Sequence, residues 1–385
     1  MKIHFILFLC FLCSLNVFGQ ISALNGTDGS ILITPKGLKG KTNNGVSLGE
    51  NALFSNTTGF GNTAIGNFTL SSNTTGSYNT ANDSSALNSN TIGYANTAYG
   101  YDALKSNTTG STNTANGVEA LKANTEGYNN TANGCFVLNT NTTGYNNTAT
   151  GFLSLQSNTT GSTNAANGVE ALKSNTEGSD NTAMGAYALN YNTTANSNTA
   201  IGAYSLNNTT TGSQNTAIGH YANVSSGDLS NATAIGASAV ANASNKVRIG
   251  NSSVTVIEGQ VAWSNPSDKR SKENIIYTKG LGLDFINRLQ TVSYNYISDA
   301  TKTRYDGFIA QDIEQAMKDL NISFSGLKKS NDGMYSLAYS DFVMPLVNGM
   351  KEQQKQILEQ KGLIDELKKQ IEEIRGLFLQ SQNGK

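Results

Sequence analysis

The chain has 385 residues and a formal net charge of −1, with 39 glycines against 3 prolines. So even a balance gives no electrostatic footprint for nucleic acid or for an anionic membrane surface. Abundant glycine with scarce proline suits tightly turning repeats and excludes a proline-rich disordered linker as the main feature.

Residues 1–20 place Lys2 ahead of the apolar run Phe5–Cys13 and the small residue Gly19. That run is too short to span a bilayer and reads as a secretory signal cut near Gly19 or Gln20. Neither Cys10 nor Cys13 has the small residues in front that a lipoprotein site needs. The expectation is an exported chain, secreted or at the cell surface, with no transmembrane segment after the signal. An N-terminal segment, 21–44, follows. Beyond the signal only Cys135 and His220 remain of their kinds. This excludes an intrachain disulfide framework and leaves a single imidazole for any His-based triad or zinc site. No metal or other cofactor is expected.

Internal periodicity dominates residues 45–250. The triplet Asn-Thr-Ala begins at Asn62, Asn79, Asn96, Asn113, Asn130, Asn147, Asn181, Asn198 and Asn215. Asn164-Ala-Ala fills the missing place and Ala232-Thr-Ala closes the series. The step is 17 residues throughout, and Gly45–Gly49 is a degenerate copy one period earlier, giving twelve in all. Counted from the Asn, the third place is always small, as at Ala64 and Ala217, and the fifth is Gly apart from Asp83. The ninth is Leu in nearly every copy, from Leu53 to Leu206, and a second Gly follows at Gly59, Gly76 and Gly110. Two glycines per period allow two turns at positive φ. The segments between them are too short for a helical repeat, so each unit suits one coil of a β-solenoid. Ala and Leu would stack inside and Asn would ladder along the axis. At about 4.8 Å per coil, twelve coils make a rod of about 58 Å.

Cys135 and His220 occupy one permissive place of the repeat, held elsewhere by Tyr101, Val118, Phe152 and Ala186, so neither reads as chemistry. Residues 51–240 hold three Lys, no Arg and eight Asp or Glu, which leaves no basic groove for nucleic acid. Tyr94, Tyr128 and Tyr145 lie in phase, and Tyr187, Tyr204 and Tyr221 form a second in-phase row. Such rows are candidates for a glycan or cell-surface ligand, or for a structural ladder.

The pattern Asn-Thr-Ala-Ile-Gly at 62–66, 198–202 and 215–219 resembles the head repeat of trimeric autotransporter adhesins. The resemblance implies β-rolls in which three chains wind side by side. Asn116, Asn133 and Asn167 stand where that family prefers Ile or Val. A thin Ala/Leu interior with polar Asn beside it makes a poor single-chain core, which argues for a homotrimer.

At the end of the repeat, Asn245–Gly250 and Val254–Gly259 alternate like strands, and residues 251–266 read as a connector containing Trp263 and Pro266. The polar run Ser267-Asp-Lys-Arg-Ser-Lys-Glu-Asn274 marks the change from an almost uncharged repeat to a charged, mostly helical segment. A helical pattern covers 282–289 and a strand 291–296; residues 307–320 pass from strand to helix, and 335–339 form a short strand. The last helix carries heptads. Val343, Met350, Ile357, Ile364, Ile371 and Phe378 fall at a, and Leu346, Gln353, Gln360, Leu367 and Ile374 at d. Ile at both positions leans towards three strands, with Ile357, Ile364, Leu367, Ile371 and Ile374 as the trimer seam of a coiled coil over 343–380.

Three separated motifs resemble the intramolecular chaperone of phage endosialidases and tail spikes, the S74 peptidase family. They are Ser267–Ile275, Gly307–Asp312 and Tyr335–Tyr339 followed by the long helix. The resemblance implies a domain over 267–342 that trimerises the chain, helps fold the upstream β-structure and then cuts before Ser267. It implies Ser267 as nucleophile, Lys272 as general base and Pro266–Ser267 as the cleavage site. Asp268, Arg270 and Asn274 match the motif in orienting roles. Five residues apart, Ser267 and Lys272 point to opposite faces of a strand and about 140° apart on a helix. They meet only in a loop, or when Lys272 comes from a neighbouring chain. The whole reads as mainly β: a trimeric β-roll or β-solenoid, then a small α/β chaperone domain ending in a trimeric coiled coil. The alternative is an uncut adhesin with a permanent C-terminal clamp.

Overall fold

A computed structural model describes Ala23–Asn25, Ile31–Ile33 and residues 45–383, apart from 262, 263, 278, 279, 298, 300, 331 and 332. The expected signal at 1–20, most of the 21–44 segment and Trp263 lie outside the described residues. The chain divides into two compact units, Met1–Asn251 and Ser252–Lys385.

The first unit is a parallel β-solenoid. Thirteen three-residue strands stack in one parallel sheet, from Val46–Leu48 to Val247–Ile249. Twelve follow at the 17-residue step, so that Thr63 pairs with Thr80 and Ala64 with Ala81. The thirteenth arrives 14 residues on, pairing Val247 with Thr233, and closes a shortened last coil. Within the strands between the two ends of the sheet the flanking residues face outward and the central Ala inward, giving the burial order half-buried, buried, exposed in strands such as Thr63–Ile65. Ala64, Leu70, Ala86, Leu87 and their equivalents are fully buried, forming one continuous apolar stack.

Buried asparagine supplies what this thin stack lacks. Asn73 donates from Nδ2 to Asn56 Oδ1 at 2.7 Å and to the Gly76 carbonyl at 2.9 Å. The same pair of bonds recurs coil after coil up to Asn192. A second ladder starts from the first place of the repeat. Asn62 Nδ2 donates to the same Gly76 carbonyl at 2.8 Å, and its Oδ1 accepts the Asn79 backbone N–H at 2.9 Å. Buried amides with their bonds made stabilise a core; unmade, they would cost about 1–3 kcal/mol each. A single chain therefore closes its own interior. The thin core gives no reason for three chains, contrary to the argument from composition.

The glycines also act differently from expectation. Of the two recurring glycines, the fifth-place one alone takes positive φ, as at Gly66 (φ 128°) and Gly117 (φ 142°). The second is required by contact: a Cβ on Gly76 would lie 2.3 Å from the Gly93 carbonyl oxygen and 2.5 Å from Asn73 Oδ1. The other left-handed turns fall on side-chain-bearing residues such as Phe68 (φ 58°), Leu70 (φ 50°) and Tyr78 (φ 60°). A left-handed conformation costs an L-residue about 1–2 kcal/mol. Full burial of the ninth-place Leu, worth about 1.5–3 kcal/mol, offsets it.

The ladder of Asn62 runs on to Asn215, while that of Asn73 ends at Thr209, whose buried hydroxyl has no partner among the described residues. There the second glycine of the preceding coil is replaced by Ala195. Thr209 lacks the amide that elsewhere stands 2.8–3.0 Å from such a Cβ, one of the three atoms that crowd the place.

In the second unit Val254–Gly259 is not a strand, and Val254, Val256 and Ile257 lie exposed. Alternation makes a strand only where a partner edge supplies hydrogen bonds, and none does so here among the described residues. The unit then runs through α1 (Leu283–Ile286), an antiparallel pair Val292–Tyr294 with Tyr305–Gly307, and α2 (Ala310–Leu320). A second antiparallel pair follows, Leu327–Lys329 with Tyr335–Leu337, of which the sequence pattern suggests only the second strand. A 3-10 turn at Tyr339–Phe342 leads into α3 (Val343–Asn383). Phe285, Ile313, Ala316, Phe324 and Phe342 form its small core. α3 packs only through its first turns, where Glu352 accepts the Leu283 N–H at 2.7 Å. From Gln353 to Gln382 every residue of α3 is exposed.

Asn124 sits mid-ladder, donating to Asn107 Oδ1 and the Gly127 carbonyl. Asn124→Ala orphans the first of these acceptors and opens a void. The expected outcome is a loss of about 2–3 kcal/mol, read as a lower urea midpoint.

Candidate functional site

The run from Ser267 to Asn274 folds as a tight turn. Lys269–Ser271 forms a single 3-10 turn, with Asp268 as its N-cap and Lys272 closing it in extended backbone. The Asp268 carboxylate accepts the Arg270 backbone N–H at 2.8 Å, which satisfies one of the turn's free donors. It also binds the Arg270 guanidinium, Nη2 to Oδ2 at 2.7 Å and Nε to Oδ1 at 3.1 Å. Asn274 takes φ 53°, a left-handed conformation that Asn tolerates better than most residues.

This turn brings Lys272 Nζ to 2.6 Å from Ser267 Oγ within one chain. A strand or a helix would have held them apart; the 3-10 turn reverses the chain between them. The bond runs from the ammonium to the hydroxyl oxygen, so in this protonation state Lys272 is donor and Ser267 acceptor. Every described residue from 264 to 277, Pro266 included, is exposed.

The electrostatics of the turn centre on Asp268. The Arg270 side chain first, and the Arg270 backbone N–H second, hold its carboxyl below the ordinary carboxylate range. Arg270 is raised in turn by Asp268.

The other two sequence motifs pack on each other. Phe308 stacks on Tyr339, with centroids 6.0 Å apart, and its backbone N–H donates to the Tyr339 hydroxyl at 3.0 Å. Gly307 is fixed by this contact, since a Cβ there would lie 2.3 Å from that hydroxyl. Tyr335 donates to Glu314 at 3.0 Å, and Lys329 donates to Tyr335 at 2.7 Å. These partners of the motif residues were not legible as pairs, because nothing local in the sequence links 307–314 with 335–339. Beside them lies a mostly apolar cleft of about 400 Å³ lined by Ile286, Leu289, Phe308, Tyr339, Phe342 and Leu346. On α3, Ile357, Ile364, Leu367, Ile371 and Ile374 are 49–65% exposed, a continuous apolar seam with no cover in one chain. Among the described residues no helix is long and apolar enough to cross a membrane.

A family model answers to this geometry. The S74 peptidase family, described as chaperone of endosialidase, matches residues 267–322. The match begins at Ser267 and takes in the turn, α1, the first strand pair and α2. It leaves Tyr335–Tyr339, α3 and the repeat outside. No curated protein matches the chain.

Because its folded pKa is depressed, Asp268 stabilises the turn above the ordinary Asp value near 3.9. That contribution fades as pH falls through the lower folded value. In an NMR titration the Asp268 carboxyl should show a midpoint below about 3.9, and Arg270→Ala should move it back up.

Proposed function

We propose that the chain is an exported fibre subunit whose C-terminal unit assembles three copies, assists the solenoid's folding and then detaches itself before Ser267. The 2.6 Å contact of Lys272 with Ser267 carries this reading, inside a segment similar to the chaperone-of-endosialidase family. Oligomerisation is the known business of that family, and the uncovered seam of α3 is the surface such assembly needs. Ile at both a and d favours three strands over two.

In the cutting step Ser267 Oγ attacks the carbonyl carbon of Pro266. Lys272, once neutral, takes the hydroxyl proton as the new C–O bond forms and passes it to the Ser267 nitrogen as the C–N bond breaks. The product is an ester between Pro266 and the Ser267 side chain. Water hydrolyses it to a Pro266 carboxylate and a free N-terminal Ser267. No histidine or metal is required. A lysine amine acts as base only after losing its proton, and burial beside apolar surface or other cations favours that loss. Lys272 is exposed in the single chain. Covering the turn in the assembled trimer would supply the burial, so cleavage would follow assembly. Asp268, Arg270 and Asn274 hold the turn that sets the pair.

The test is the intact mass of the exported protein beside a Ser267→Ala variant. Two fragments divided between Pro266 and Ser267, with a single species in the variant, is the expected result. One uncut species from both would overturn self-cleavage and leave the C-terminal unit as a permanent clamp.

A further inference from the structure

The sixteenth place of the repeat forms a row along the solenoid, outward at its aromatic positions: Phe60, Ser77, Tyr94, Ser111, Tyr128, Tyr145 and then serines interrupted by Asn196. Where two tyrosines fall on consecutive coils they stack. Tyr128 and Tyr145 lie face to face, with centroids 5.0 Å apart and planes 2° from parallel. Between Tyr94 and Tyr128 one coil intervenes and its residue, Ser111, has no ring. A cleft of about 340 Å³ opens there, with Tyr94 and Tyr128 among its lining residues.

The gap admits one ring. Two coils advance about 9.6 Å, so a ring midway lies about 4.8 Å from each tyrosine, within the range of ring stacking. A pyranose chair, thickened by its axial hydrogens, fills that width, as does a planar ring offset in the manner of Tyr128 on Tyr145, so the choice between them falls to the floor and the rim. The floor asks for nothing, because the Ser111 hydroxyl accepts the Tyr94 N–H at 3.2 Å and donates to the Thr109 carbonyl at 3.2 Å. The rim offers acceptors. Glu126 lines the cleft with a carboxylate, beside Asn129, and no Lys or Arg is among the lining residues. Sugar hydroxyls would donate to Glu126, whereas a sialic or uronic acid would meet like charge without a compensating cation.

We infer that the slot between Tyr94 and Tyr128 binds one neutral hexopyranose unit of an oligosaccharide, sandwiched between the two rings. The second tyrosine row makes no such slot, because Tyr187, Tyr204 and Tyr221 fill consecutive coils and stack at 4.9 and 4.7 Å. This site stands apart from the self-cleavage reading and survives its failure.

The test uses the full exported chain carrying Ser267→Ala and saturation-transfer NMR with the hexasaccharides of glucose, galactose, mannose and N-acetylglucosamine, plus a sialylated one. Ser111→Tyr fills the slot with a ring in the manner of Tyr128 and Tyr145, so the fold is kept while the site is closed. The expected result is binding of at least one neutral hexasaccharide, weakened about tenfold or more by Ser111→Tyr and by Tyr94→Ala. Equal binding in Ser111→Tyr, binding of the sialylated sugar alone, or no binding of any neutral sugar would each overturn the inference.

Discussion

From Gly76 to Gly178, each carbonyl of the second-glycine row receives two asparagine amides, one from each buried ladder. The rest of the solenoid depends on that convergence. A Cβ at that place would run into the carbonyl of the next coil and the Asn Oδ1 beside it, which selects glycine at every coil from Gly59 to Gly212 but that of Ala195. The amides must come from residues 14 positions and 3 positions earlier, which fixes the internal spacing of the coil. One inserted residue would break both ladders and strand buried polar groups. The constancy of the 17-residue step across the copies is the visible consequence. Irregularity enters only after the ladder of Asn73 stops at Thr209: a two-residue side pair at Asn223–Val224 with Val240–Ala241, then the last coil of 14 residues.

The two units solve the burial problem in opposite ways. In the first, Ala, Leu and Asn vanish from solvent within one chain, and what faces out is Thr, Asn, single aliphatics such as Ile201 and rows of aromatics. In the second, a five-residue core supports a long helix whose apolar seam has nothing to lie on. A helix of that length gains little from propensity alone and takes most of its stability from packing. The incomplete unit, not the repeat, is therefore where assembly must act. This reverses the weight that composition places on the repeat interior.

Much of the fold was legible because its causes are periodic. Ala64 and Leu70, Gly66, and the Asn ladders follow from the 17-residue spacing and the size of each side chain. Backbone sign was not legible: left-handed φ at Leu70 and Phe68 goes against residue preference, and only the coil's closure imposes it. The role of Gly76 was hidden for the same reason, since close approach between coils has no local signature. At the turn, residue types pointed to Ser267 and Lys272, while their meeting within one chain depended on the 3-10 turn capped by Asp268. Val254–Gly259 misled because alternation reports amphipathicity and not the presence of a partner strand.

In the proposed mechanism the chemistry at Ser267 waits on assembly through α3, so the number of chains in the uncut particle is the central quantity. Light scattering of the purified Ser267→Ala protein measures that number directly. A mass three times that of one chain is the predicted result. A stable particle of one chain mass, with the seam of α3 still exposed, would contradict the account.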